Sequence, residues 1–237
     1  MHMANQDVDA APQDVAEALV RGGVLVETED GFGVAESFTE TVERTHEAVE
    51  GLDTAAVEKR VAEAVDADED RRALVAEVGD DDREFLALYL TLTERLPDLP
   101  AETRIRVVPL LQGFRGSPPR EDGAPEAFVP IHGDRLRTVT RLFPRSIVYV
   151  WLENCEPCDD LHEMFDDLFP EPPEGIELFS VYGPDYAEFL HHEYDVKGGP
   201  VTLFMLRDTV DSRVFGAKHE RVYEGEVDQL RESEVPE

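Results

Sequence analysis

The chain has 237 residues, 41% of them hydrophobic, which suffices for one large core or two ordinary ones. Its 22 basic and 54 acidic side chains leave a formal net charge of −32 at pH 7, which argues against nucleic-acid binding, since that draws on Lys and Arg to neutralise phosphates. No run of 18 apolar residues is present, which excludes a membrane-spanning helix, and the first residues carry neither the basic nor the apolar segment of a secretory leader.

Residues 1–12 read as a disordered N-terminus. Helical periodicity starts at Gln13, with Val15, Leu19 and Val20 on one face, and Gly22-Gly23 ends it. Val24–Val26 and Val34–Ala35 flank Glu29-Asp30-Gly31 and predict a small β-hairpin. Four amphipathic helices are predicted next. The first is capped at Thr39 and runs to Glu50, the second starts at Asp53-Thr54, and the third covers 69–78. The fourth starts near Asp81-Asp82 and carries Phe85, Leu86, Leu88, Tyr89, Leu92 and Leu96. Residues 101–112 read as a further helix, interrupted by Pro109. Residues 13–112 are therefore expected to form a mostly α-helical domain with one hairpin. A hairpin after a helix also fits a winged helix, a reading the charge speaks against.

Gly, Pro and charged residues dominate 113–127, which reads as a linker. A second, α/β domain is expected over 128–237. Leu136, Val139 and Leu142 predict a helix ending before Pro144. Ser146–Leu152 is an unbroken apolar run, as a strand buried on both faces requires. A helix at Asp159–Phe169, a strand at Ile176–Tyr182 and a helix at Pro184–Tyr194 follow. Val201–Leu206 and Arg213–Ala217 read as an antiparallel pair joined around Arg207-Asp208-Thr209, with a short last helix from about Val227.

The acidic residues are spread along most of the chain, as in proteins that work in concentrated salt, where self-repulsion is screened. A halophilic cytoplasm is the expected setting. Residues 103–145 depart from this pattern, with eight arginines against four acids. The favoured reading is that these arginines neutralise acidic neighbours and hold the two domains together; an anionic-ligand site is the alternative.

The segment with chemistry is Trp151-Leu-Glu-Asn-Cys155-Glu-Pro-Cys158. Two cysteines three positions apart are no disulfide framework, and in a reducing compartment such a pair is catalytic or metal-binding. This pair follows a buried strand and opens a helix. There, unpaired amides and the positive end of the helix dipole favour a thiolate at Cys155. Cys158 lies one turn on, within reach of a mixed disulfide formed by Cys155, and Pro157 fits the first turn. Zinc is the alternative, with His162, His191 or His192 as further ligands, but the spacing matches no common finger.

With Pro200 after Lys197-Gly-Gly and before a strand, the segment resembles the thioredoxin superfamily over about 128–237. The resemblance implies a four- or five-stranded mixed sheet flanked by helices, and a cis Gly199–Pro200 bond against the cysteine pair. It further implies that Gly199 pairs with an extended client segment. Four departures stand out. Asn154 replaces a second tryptophan, and Glu156-Pro157 stand between the cysteines in place of Gly-Pro. Tyr149 takes the place of a buried aspartate, and Phe179 and Ser180 stand where a partner lysine is usual. Glu156 puts a negative charge beside the thiolate and should raise the pKa of Cys155, favouring a reducing couple.

What the resemblance implies is thiol–disulfide exchange on protein disulfides. Cys155 is the nucleophile and Cys158 the resolving thiol, with Trp151, Glu156, Pro157, Gly199 and Pro200 lining the site. No cofactor or metal is needed. The expected partners are client disulfides and an upstream reductase, with no nucleic acid and no membrane. The N-terminal domain carries no chemical motif and is expected to serve docking, client choice or homodimerisation. The rival reading is a redox-inert thioredoxin-like interaction module.

Overall fold

A computed structural model describes residues 12–28, 31–115 and 117–236. The expectations for residues 1–11 and for the hairpin turn at Glu29-Asp30 lie outside the described residues. The chain divides into two units after Ser117.

The first unit opens with α1 (Pro12–Arg21), ended at Gly23, whose φ of +64° suits glycine. The strands β1 (Leu25–Thr28) and β2 (Gly31–Val34) pair antiparallel. Then come α2 (Glu36–Val49), α3 (Thr54–Ala64), α4 (Glu69–Asp81), α5 (Arg83–Arg95) and α6 (Ala101–Phe114). Asp53, Asp68 and Asp82 cap α3, α4 and α5, each accepting a backbone N–H three residues on. The core sits around α5, where Phe85, Leu86, Ala87, Leu88, Tyr89, Leu90 and Leu92 are all buried against α2, α3, α4 and α6.

Two local expectations are corrected. Thr39 does not cap α2, because Ala35 closes the hairpin through its N–H and accepts from Phe38 and Thr39 through its carbonyl, so the helix starts at once. Pro109 does not break α6. Ile105, Val107, Val108 and Leu111 are buried in that helix, and their packing outweighs the hydrogen bond that proline lacks.

The second unit is built on a five-stranded sheet. Its elements are β3 (Val129–Pro130), α7 (Leu136–Leu142), β4 (Arg145–Trp151), α8 (Glu156–Leu168), β5 (Glu177–Tyr182), α9 (Ala187–Tyr194), β6 (Val201–Leu206), β7 (Thr209–Phe215) and α10 (Glu220–Glu232). The strand order is β3-β5-β4-β6-β7. β3 and β4 run parallel to β5, while β6 is antiparallel to β4 and β7. Alternation along β4 sends Ile147, Tyr149 and Trp151 into one core with Leu161, Phe165, Tyr223, Val227 and Leu230. Phe128 joins that core and stacks on Phe165 at 5.3 Å between centroids.

Here too the sequence reading is adjusted. α10 starts seven residues before Val227, with His219 as its cap, because Tyr223, Val227 and Leu230 recur at helical spacing and all are buried. Gly225 lies inside that helix on its exposed face. β7 starts at Thr209 and pairs with Leu206 across a tight turn, in which Arg207 takes a left-handed φ of 51°. Residues 118–127, which read as linker, belong to the second unit, where the Glu126 N–H donates to Asp166 of α8 at 2.7 Å.

Several arginines of 103–145 have partners close at hand. Arg115 pairs with Glu84, Arg106 with Glu102 and Arg141 with Asp208. Buried Arg104 donates to the carbonyls of Leu96 and Pro97 at the end of α5. Arg145 does the same for α10, donating to the carbonyls of Leu230, Arg231 and Ser233. Among the described residues, no helix is long and apolar enough to cross a membrane.

Candidate redox site

β4 delivers the chain to the site. After Trp151 the loop 152–154 turns, with Asn154 in the left-handed region at φ 54°, a conformation asparagine tolerates better than most residues. Cys155 then takes extended backbone angles and is the N-cap of α8. Its carbonyl accepts from the N–H of Cys158 at 2.8 Å and of Asp159 at 3.1 Å, which fixes the first turn. Pro157 sits in that turn, where no intrahelical partner for its N–H is missing.

Cys155 and Cys158 are joined in a disulfide, with Cα atoms 5.2 Å apart. Cys155 is half-buried, whereas Cys158 is 3% exposed. Cys155 is therefore the more accessible of the two. Glu156 and Pro157 are exposed beside them.

Beneath the pair lies Tyr149, whose hydroxyl donates to the Cys158 carbonyl at 2.9 Å. Burial pushes its pKa well above the ordinary tyrosine value, and the negative charge of Asp159 adds to the effect, so the phenol keeps its proton. Trp151, expected to line the site, is 3% exposed and supports the loop from beneath. Its ring lies 4.8 Å from that of Tyr182.

The Gly199–Pro200 peptide bond is cis. A Cβ on Gly199 would stand 3.1 Å from Leu152 Cγ and 3.3 Å from the Val150 carbonyl oxygen, so only glycine fits there without displacement. The Pro200 carbonyl accepts from Gly216 at 2.8 Å, and next to it Phe215 of β7 is 49% exposed. Beside this loop is a mostly apolar cavity of about 440 Å³, with Leu152, Pro184, Leu190, Val196, His191 and Lys197 among its lining residues.

The histidines weighed as metal ligands sit elsewhere. His162 meets Asp166 on its own helix at 3.2 Å, and His191 and His192 are exposed on α9. Among the described residues, no group of three or more potential ligands comes together.

Three neighbours of the site escaped the sequence reading: Arg120, Asp122 and Gly123. Arg120 lies over Tyr182 with its guanidinium carbon 4.3 Å from the ring centroid, and 5.7 Å from that of Trp151. It pairs with Asp122 at 2.6 Å and also with Glu153. Gly123 presses on Trp151. Nothing in the Gly- and Pro-rich segment around them has a periodicity that would have marked these residues.

The mixed sheet order, the cysteine pair opening a helix after the central strand, and the cis proline before the next strand give the second unit a thioredoxin-like fold. No protein-family model and no curated protein sequence matches the chain. Several solved structures do. Thioredoxin f from spinach chloroplast, in its short form, is 15% identical, with 44% of this chain and 94% of that one covered and a TM-score of 0.40. Thioredoxin of Malassezia sympodialis is 16% identical, covering 45% of this chain and 95% of its own, with a TM-score of 0.39. A mutant thioredoxin from Halobacterium salinarum NRC-1 is 18% identical, covering 46% and 95%, with a TM-score of 0.38.

Proposed function

We propose that the second unit reduces protein disulfides by thiol–disulfide exchange through Cys155 and Cys158. The observation that carries this reading is the asymmetry of the pair: a half-exposed cysteine at the cap of α8, bonded to a buried one in its first turn. As N-cap, Cys155 stands at the positive end of the α8 dipole, which favours its thiolate.

The chemistry balances as follows. The Cys155 thiolate attacks one sulfur of a client disulfide, forming a mixed disulfide and releasing the other client sulfur as a thiolate that takes up a proton. Deprotonated Cys158 then attacks the Cys155 sulfur, and the second client sulfur leaves and is protonated. The client gains two electrons and two protons, and the protein is left with the Cys155–Cys158 bond present in this structure. Recharging requires an external dithiol reductant. Gly199 and Pro200 offer backbone to an extended client, Glu156 and Pro157 adjoin Cys155, and Trp151 backs the loop. The apolar cavity beside Gly198 suits a client side chain next to its cysteine. The first unit is assigned to docking, client choice or self-association.

The test is trapping with Cys158→Ser in concentrated salt. A client disulfide should remain bonded to Cys155 and be released by dithiothreitol, while Cys155→Ser captures nothing. Absence of a mixed disulfide with Cys158→Ser would favour the redox-inert interaction module. A midpoint strongly oxidising against glutathione would overturn the reducing direction.

A further inference from the structure

Arg120 lies outside every residue so far given a part in the exchange, yet its charge is directed at the loop that carries Cys155. The segment around it folds through a turn in which the Ala124 N–H donates to the Glu121 carbonyl at 2.9 Å. This sets Gly123 on the Trp151 ring and Arg120 on the platform formed by Tyr182 and Trp151, at the ends of β5 and β4. From there the guanidinium meets Asp122 and Glu153. Glu153 is two residues before Cys155, so its Cα lies within about 7.6 Å of that of the cysteine.

The charges around Cys155 make this contact consequential. Glu153 and Glu156 flank it along the chain, and Asp159 follows in the first turn of α8. In the loop before Gly199, Lys197 pairs with Asp195 at 2.7 Å and so brings little net charge. Beneath the site, Tyr149 is held neutral. On the covering segment, Arg120 is the cation and Asp122 its own neighbour. Each nearby carboxylate disfavours a thiolate, and a paired arginine removes that effect.

We propose that Arg120 is a positioning residue of the redox site: it pins the 152–154 loop to the Trp151–Tyr182 platform and cancels the charge of Glu153 beside Cys155. This deepens the exchange reading and rests on it. Two unit charges about 8 Å apart in water interact with about half the energy they have at 4 Å, which corresponds to roughly a twofold change in thiolate population per charge removed. Both groups are partly exposed, with 34% and 45% of their side chains accessible, so salt should erase the effect.

The experiment measures the rate at which the Cys155 thiol reacts with iodoacetamide at pH 7 in the reduced full-length protein. It uses about 0.1 M and about 1 M salt, where the screening lengths are about 10 Å and about 3 Å. Far-ultraviolet circular dichroism verifies folding of each variant. At the lower salt, Arg120→Gln should react about twofold more slowly and Glu153→Gln about twofold faster. The double variant should react like the parent, and Arg120→Lys should keep most of the parental rate. These differences should collapse at the higher salt. Shifts of equal sign in the two single variants, or shifts indifferent to salt, would mean only that the loop has been loosened and would overturn the electrostatic role. No change in either single variant would overturn it as well. A parent protein in which Cys155 does not react ahead of Cys158 would instead remove the exchange reading itself.

Discussion

Replacing Gly123 with alanine tests whether the covering segment is packed as described. An ideal Cβ at this position would lie 2.4 Å from Trp151 Cε3 and 2.7 Å from both Cδ2 and Cζ3. Carbon atoms in ordinary contact stand about 3.5–4.0 Å apart, so more than 1 Å must be recovered. The indole has little room to give: it is 3% exposed, with the Tyr182 ring 4.8 Å away and the core beneath. Overpacking of this kind costs about 1–3 kcal/mol. The protein has one tryptophan, so its fluorescence during denaturant unfolding reports this unit without interference from the other. We expect Gly123→Ala to lower the midpoint at unchanged slope and to shift the native emission, as the segment lifts or the ring is displaced. The control is Gly225→Ala. That glycine lies within α10 with nothing near its added Cβ, so the substitution should stabilise by about 0.5–1 kcal/mol. A Gly123→Ala protein within 0.5 kcal/mol of the parent, with the parental emission, would refute the packing argument.

Other perturbations have definite signs. Asp82→Ala removes the cap of α5, whose carboxylate accepts from Phe85 at 2.9 Å and from Gln112 at 3.3 Å; at 8% exposure the loss should be about 1–2 kcal/mol, read by circular dichroism during urea unfolding. Arg145→Ala strips three hydrogen bonds from the last carbonyls of α10 and should cost about 1.5–3 kcal/mol by the Trp151 unfolding signal. Burial raises the pKa of Tyr149 and Tyr194 above the ordinary 10.0, so the folded state holds those protons after the unfolded state has lost them. Stability should therefore be flat up to about pH 10 and fall above it, and Tyr149→Phe should make that fall shallower; a stability rising with pH in this range would contradict the assignment.

Short-range features of the chain were legible in the sequence. The starts of α3 and α5 were read near Asp53-Thr54 and Asp81-Asp82, and the caps found there span only three residues of chain. Ser146–Leu152 reads as a buried central strand because every side chain from Ser146 to Trp151 must leave water, on either face of the sheet. A cysteine pair placed between that strand and a helix marks the candidate redox site for the same reason, since strand end, cap and first turn are contiguous. Helix limits were less legible where burial overrode a local signal, as at Pro109 in α6 and Gly225 in α10.

What the sequence by itself determined, then, is the local frame: the amphipathic helices, the central strand and two sulfurs at the opening of a helix. Only the tertiary structure decided which distant groups meet there. With 54 acidic side chains available, nothing in the order of residues selects Glu153 as the partner of Arg120, or directs Gly123 onto Trp151 rather than into solvent. Those pairings follow from the sheet, which brings Trp151 and Tyr182 side by side and leaves one surface for the covering segment to fill. An ion pair between groups 33 positions apart has no periodicity and little energy of its own; its location is set by the packing around it.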